Sequence, residues 1–136
     1  MNPDTDQTPG PDATAVLIVD DDEMICASVD MMLSAVGYSL LTASNGAEAI
    51  RIAGTAGQKI DAMLLDLNMQ PMSAEQIFGE LRKLHPKLPV VFITGDKWAT
   101  LEKFPGAKGS KLILKPFSRA QLLESIHEAI EYQKSN

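Results

Sequence analysis

Four short apolar stretches of this sequence each end in a side chain that can bind a metal ion or a phosphate. In chain order, these residues are Asp20 with Asp21, Asp66, Thr94 and Lys115. Short apolar runs without polar alternation are typical of strands that are buried on both faces of a parallel sheet. In such sheets, ligands bind beyond the carboxyl ends of the strands, where the strand order reverses. We therefore expect the acids, the hydroxyl and the amine to meet at one edge of a sheet.

The three carboxylates would repel one another at this edge, so their grouping favours a bound cation. Oxygen ligation by a few carboxylates, completed by waters and a phosphate, suits Mg²⁺. A carboxylate can also act as the nucleophile toward phosphorus and form an acyl phosphate. Lys115 can reach the same pocket as a flexible cation, and Thr94 offers a hydroxyl to a bound oxyanion. This set of groups is suited to phosphoryl transfer, which depends mainly on positioning and charge neutralisation.

Each of these residues also has a structural interpretation. The acids after the first apolar stretch can complement the N-terminus of a following helix. Asp66 can cap a helix, Thr94 can be a β-branched strand residue, and Lys115 can be a surface charge. Their occurrence at successive strand ends, in the order that the chemistry needs, favours a site over four separate structural roles.

Strands and helices alternate along the sequence. Strands are predicted at residues 16–19, 39–43, 63–66, 90–93 and 111–114. Amphipathic stripes and capping sequences predict helices after the first, second, third and fifth strands. After the fourth strand only residues 98–104 have helical potential, because Pro105 and Gly106 follow at once. This alternation predicts an α/β fold with right-handed crossovers, a parallel five-stranded sheet and helices on both faces.

Length and composition limit the class of protein. The chain has 136 residues, 45% of them hydrophobic, and a net charge of −6, which argues against nucleic-acid binding. No window is long and apolar enough for a membrane span, and no signal pattern opens the chain, so we expect a cytoplasmic location. Residues 1–13 are rich in Pro, Gly, Asp and Thr and predict a flexible leader or linker, and residues 14–136 form the expected domain.

From about residue 16 to 132 the chain resembles the receiver domain of bacterial two-component response regulators. The resemblance rests on the acid pair at 20–21 and on Asp66, Thr94 and Lys115 in their order. It implies a flavodoxin-like (βα)₅ fold with the strand order 2-1-3-4-5, here with a short or irregular fourth helix. It also implies a signalling domain rather than an enzyme with an external substrate.

The resemblance also implies a role for each site residue. Asp66 would take a phosphoryl group from the phosphohistidine of a histidine kinase or phosphotransfer protein. Asp20 and Asp21 match the acidic pair that holds Mg²⁺ together with Asp66, and Asp21 is the expected direct ligand. The backbone carbonyl of Asn68 would complete the metal shell. Thr94 and Lys115 match the residues that contact the phosphoryl oxygens, and the family's lysine–proline bond at this position is cis.

Three features depart from the family pattern. The loop after the acceptor usually contains Met-Pro-x-Met-Asp-Gly, whereas residues 69–74 are Met-Gln-Pro-Met-Ser-Ala. Leu112 stands where the family often has an aromatic residue that turns inward on activation. Residues 95–110 lack a long fourth helix, so we expect them to be the most mobile part, ordering on phosphorylation or on partner binding. Trp98 and Phe104 are then candidate apolar anchors for a partner, although Trp98 packing on the sheet is an alternative.

Several functions share these features. We expect a receiver that signals by protein–protein contact to a downstream partner. Alternatives are the receiver segment of a hybrid histidine kinase and a degenerate receiver that serves as a binding scaffold. A phosphohydrolase with an aspartyl-phosphate intermediate is disfavoured, because such enzymes place an acid two residues after the nucleophile. In this sequence that residue is Asn68.

Overall fold

The computed structural model describes residues 12–135, and most of the predicted leader lies outside this part of the chain. Its five strands are β1 (Ala15–Val19), β2 (Ser39–Ala43), β3 (Ala62–Asp66), β4 (Val90–Thr94) and β5 (Lys111–Leu114). Its four helices are α1 (Glu23–Ser34), α2 (Gly46–Ala53), α3 (Ala74–Leu84) and α4 (Arg119–Ser135). All strand pairs are parallel and the sheet order is β2-β1-β3-β4-β5, so the predicted flavodoxin-like order is confirmed.

The sheet is the middle layer of three. On one face α2 and α3 cover an apolar core that includes Leu17, Leu65 and Phe92. On the other face α1 and α4 cover a second core that includes Ile18 and Leu64. Because β1, β3 and β4 are buried along their whole length, their side chains are apolar on both faces up to the polar residues that end β3 and β4, Asp66 and Thr94. This double burial explains why the sequence shows continuous apolar runs there.

The register of the two central strands sets the position of the acids. Val19 of β1 pairs with Leu65 of β3, so Asp20 and Asp66 follow side by side at the carboxyl edge. The strand order reverses at β1, since the chain goes from β1 out to β2 and then back to β3 on the other side. This edge is the place where open α/β sheets bind ligands.

The connection from β4 to β5 contains turns and no helix within the described chain. The segment expected to be a short or irregular fourth helix is thus a series of irregular turns, and the described chain has four helices where (βα)₅ implies five. Backbone hydrogen bonds close successive turns, for example from Phe104 N to Leu101 O and from Ala107 N to Phe104 O. Gly106 and Gly109 both have φ of 85°, a left-handed conformation that cannot continue a helix.

Phe104 fixes this irregular connection to the core. Its side chain is 6% exposed and its ring centroid lies 4.6 Å from that of Phe92 and 5.9 Å from that of Phe78. The prediction that Phe104 is available to a partner is therefore wrong. None of the helices in residues 12–135 has the length and apolar character that a membrane span requires.

Candidate functional site

Asp20, Asp66 and Lys115 meet at the carboxyl edge of the sheet. The Lys115 Nζ lies 3.1 Å from Asp20 Oδ2 and 3.6 Å from Asp66 Oδ2. Both carboxylates are buried, whereas the Lys115 side chain is partly accessible to solvent. A buried charge pair needs further hydrogen bonds to be tolerated. The backbone N–H of Asp22 donates to Asp20 Oδ1 at 2.9 Å, and that of Asn68 donates to Asp66 Oδ1 at 3.2 Å.

The acidic residues at positions 20–22 have different structural roles. Asp20 points into the site, while Asp22 is the N-cap of α1 and accepts from the backbone N–H groups of Met24 and Ile25. Both interpretations of the acidic run are thus realised, but by different residues. Asp21 is exposed, and one carboxylate oxygen each from Asp20, Asp21 and Asp66 lie within 4.8 Å of one another. Three hard oxygen ligands at this spacing, open to solvent through Asp21, are a donor set that fits Mg²⁺.

Thr94 and Asn68 lie on the side of the site away from the acid pair. They line one depression of about 360 Å³ together with Leu67, Gly95 and Asp96. Thr94 is buried at the end of β4, and its backbone carbonyl accepts from the Lys115 N–H at 2.7 Å. This bond ties the ends of β4 and β5 together. The role of the Asn68 carbonyl stays a prediction.

Charge and burial shift the proton affinities of two groups in the site. Burial raises the pKa of Asp66, and the nearby Asp20 carboxylate raises it further, against the lowering effects of the Asn68 N–H and of Lys115. Burial of Lys115 opposes its positive charge, but the Asp20 hydrogen bond and the Asp66 and Asp22 charges together raise its pKa. Lys115 therefore stays protonated, and Asp66 carries its negative charge in unfavourable surroundings.

The surroundings of the site agree only in part with the sequence-based expectations. The Lys115–Pro116 bond is cis as expected, and the Gln70–Pro71 bond of the altered loop is also cis. Leu112 is half-buried and packs against the core beside Phe92. Trp98 is 79% exposed, so the alternative in which it packs on the sheet is wrong.

Asp96 is the residue near the site that sequence reasoning missed. Its backbone N–H donates to Thr94 Oγ1 at 3.0 Å, which places it beside the hydroxyl expected to contact a phosphoryl oxygen. A Thr-Gly-Asp sequence at a strand end is a turn signal, since Asp side chains bond to backbone groups two residues on. That signal was available in the sequence, but it does not indicate which hydroxyl the turn would engage.

Comparison with known proteins identifies a matching family and relatives of this chain. The family model described as response regulator receiver domain matches residues 16–127. The chain is 30% identical over 122 residues to the transcriptional regulatory protein GlrR of Escherichia coli K12, covering 85% of this chain and 26% of that protein. It is also 30% identical over 122 residues to the sensor kinase CckA of Brucella abortus, covering 89% of this chain and 13% of the kinase. The chain thus spans only a minor part of either relative.

Solved structures show the same fold. A response regulator receiver domain protein from Clostridium thermocellum superposes with a TM-score of 0.78 at 27% identity, covering 90% of this chain and 98% of that one. The CheX–CheY–BeF3–Mg2+ complex from Borrelia burgdorferi contains a match with a TM-score of 0.74 at 26% identity, covering 93% of this chain and 92% of that one. From its sequence match and its fold, the chain belongs to the response regulator receiver domain family.

Proposed function

We propose that this receiver domain takes a phosphoryl group onto Asp66 with the help of Mg²⁺ and signals by contact with another protein. The observation that carries the proposal is the position of Asp66. Its carboxylate lies 3.6 Å from the Lys115 ammonium, which also contacts the Asp20 carboxylate, at the sheet edge where a phosphate can enter. A nucleophilic carboxylate with a fixed cation beside it has the groups that phosphoryl transfer requires.

The transfer replaces one bond to phosphorus by another. An Asp66 carboxylate oxygen forms the new P–O bond while the P–N bond of a phosphohistidine breaks, and its electron pair returns to the imidazole nitrogen. Lys115 stays protonated and offsets negative charge on the phosphoryl oxygens, as its raised pKa allows. Thr94 donates its hydroxyl hydrogen to one of these oxygens. Mg²⁺, held by Asp20, Asp21, Asp66 and the Asn68 carbonyl, would supply further positive charge.

The donor set and one structural relative support the magnesium part of the proposal. The three clustered carboxylates leave a net negative charge next to Lys115, which a divalent cation would balance. The receiver CheY of Borrelia burgdorferi, 26% identical to this chain, was crystallised with CheX, BeF3 and Mg2+. That complex also gives a precedent for a receiver that binds another protein.

The donor is proposed to be a histidine kinase or a histidine phosphotransfer protein. The relatives include a transcriptional regulator and a sensor kinase, so receivers similar to this one occur in both kinds of protein. The complete constellation of Asp20, Asp66 and Lys115 favours a working phosphoacceptor over a degenerate scaffold, because a scaffold has no need of a buried charged cluster.

Mass spectrometry of the intact chain tests the proposal. Incubation with acetyl phosphate and Mg²⁺ should add one phosphoryl group, which peptide mapping should place on Asp66. Asp66→Asn should abolish the added mass, and Asp30→Asn, which changes an exposed acid of α1, should leave it unchanged. Incorporation that persists in Asp66→Asn, or that needs no divalent cation, would contradict the proposal.

A further inference from the structure

A groove of about 640 Å³ lies at the amino edge of the sheet, opposite the candidate site. It is lined by residues from the last turns of α3 and α4 and from the segments that lead into β3 and β4. Its apolar lining includes Ile60, Leu88 and Ile130, together with Leu84, which is 45% exposed. A concave surface with an apolar lining and a few charged groups is typical of a binding site.

The wall of the groove formed by residues 85–89 is held by hydrogen bonds. Arg82 Nη1 donates to Leu88 O at 2.6 Å, and the Leu88 N–H donates to His85 O at 3.1 Å. His85 Nε2 lies 2.9 Å from Ala53 O at the end of α2, within hydrogen-bonding distance. Because this wall is already ordered, a segment that binds in the groove does not have to order it.

The charges of the lining favour an acidic ligand. Lys87 and Lys134 are exposed, and Asp61 is the only acid among the described residues that line the groove. The Asp61 carboxylate is already engaged, since Lys59 Nζ lies 3.5 Å from its Oδ2 and the Ala15 N–H donates to the same oxygen at 2.7 Å. The two lysines therefore give the groove a positive charge that an acidic segment complements.

The chain enters the described fold beside this groove. Lys59 Nζ donates to Ala13 O at 2.8 Å, and the Asp61 N–H donates to Ala15 O at 2.7 Å. Because Asp61 also lines the groove, residues 1–11 are joined to the fold next to it. Eleven residues reach roughly 40 Å at full extension, which is long enough to cross a groove of this volume.

The sequence of residues 1–11 is complementary to the lining. It contains Asp4 and Asp6, no Lys or Arg, and three prolines, which reduce the conformational entropy that is lost on binding. We propose that the groove binds residues 1–11 of the same chain, with the two acids beside Lys87 and Lys134 and the prolines on the apolar lining. Because the segment is tethered beside the groove, its effective concentration there is on the order of millimolar, so weak contacts suffice.

Paramagnetic relaxation of amide signals tests this contact in the full chain. A nitroxide is attached to the cysteine of Asn2→Cys, and Cys26→Ala removes the single native cysteine. We expect the nitroxide to broaden the amide signals of Leu88 and Ile130, which line the groove on its two sides. Broadening confined to amides next to Ala13, where the segment is attached, overturns the proposal.

Charge reversal distinguishes binding from mere proximity. Lys87→Glu combined with Lys134→Glu should reduce the broadening in the groove by more than half, and adding Asp4→Lys with Asp6→Lys should restore it. Lys83→Glu is the matched control, because Lys83 is an exposed cation of α3 that does not line the groove. Broadening that is insensitive to the charges of the groove overturns the proposal.

Other occupants of the groove give different results. A mixture of isotope-labelled chain without the nitroxide and unlabelled chain with it detects contact between copies. Broadening of Leu88 in this mixture, as strong as within one chain, assigns the groove to a second copy and overturns the proposal. Asp4→Asn with Asp6→Asn changes no residue of the described fold. Leu88 and Ile130 amide shifts that are identical in this variant and the native chain show a groove available to another partner, which also overturns the proposal.

Discussion

At the scale of the residue, Asp66 is held where its charge is unfavourable. Burial and the Asp20 carboxylate raise its pKa more than Lys115 and the Asn68 N–H lower it. A group with a higher pKa in the folded chain binds protons more tightly there than in the unfolded chain. The free energy of unfolding then falls as the pH rises from the unfolded pKa to the folded pKa, and stays lower above it.

Asp66→Asn should therefore stabilise the metal-free protein at neutral pH. The difference in unfolding free energy between variant and native chain should vanish at pH below the ordinary aspartate pKa and grow through the window up to the raised value. Urea unfolding in the presence of a chelator, over a series of pH values, measures this. A variant that is less stable than the native chain at pH 7 would show that the attraction to Lys115 outweighs burial and repulsion.

The proposed magnesium site predicts that Mg²⁺ stabilises the native protein, because an ion that binds only the folded cluster shifts the equilibrium toward the folded state. At ~100-fold excess over the dissociation constant the gain is about 2.7 kcal/mol. Asp21→Ala should remove most of this gain, because Asp21 is the expected direct ligand and offers a carboxylate oxygen within 4.8 Å of those of Asp20 and Asp66. Asp30→Ala serves as a control for the loss of a surface acid. A thermal midpoint of the native chain that does not respond to Mg²⁺ would contradict the proposed metal site.

The proximity of the site residues could be predicted, because the ends of successive strands in a parallel sheet share one edge. The separate roles of Asp20 and Asp22 could not be predicted. The sequence alone does not show where β1 ends and α1 begins, so either acid could have capped the helix. Asp96 was missed for a similar reason. Its partner is set by the path of the chain after β4, which depends on packing rather than on local sequence.

At the scale of the element, capping sequences and amphipathic stripes correctly predicted helices. Ser73 and Gln76 form a capping box at the start of α3, with both reciprocal hydrogen bonds present. Close contacts between elements were not visible in the sequence. Gly46, the first residue of α2, faces α3 so closely that a Cβ there would lie 2.7 Å from Met72 Sδ and 2.8 Å from Ile77 Cγ1.

Two glycine substitutions should therefore have opposite effects. Gly46→Ala should lower the free energy of unfolding by about 1–3 kcal/mol, because the added methyl overpacks the contact between α2 and α3. Gly79→Ala, in the interior of α3 with open space around its Cα, should raise it by roughly 1 kcal/mol through helix propensity. Chemical denaturation of both variants measures the difference. Equal effects would show that α2 can shift away from Met72 without loss.

At the scale of the whole molecule, the sequence predicted the layers and the strand order but not how the β4–β5 connection is held. Pro105 and Gly106 interrupt the segment with helical potential, and they correctly indicated that a long helix would not form. Whether the remaining segment is free or anchored depends on Phe104. Its burial among rings of α3 and β4 is a long-range contact that no local pattern encodes. The greater mobility of residues 95–110 stays a prediction.

The last prediction concerns Phe104, which fixes the β4–β5 connection to the core. Phe104→Ala should lower the free energy of unfolding by about 3–5 kcal/mol, because it leaves a cavity against Phe92 and Phe78. Trp98→Ala removes a larger side chain from the same segment but should change stability by less than ~0.5 kcal/mol, since that side chain is 79% exposed. Denaturant unfolding of both variants measures the contrast. A mild effect of Phe104→Ala would mean that the connection between β4 and β5 is only loosely attached to the core in solution.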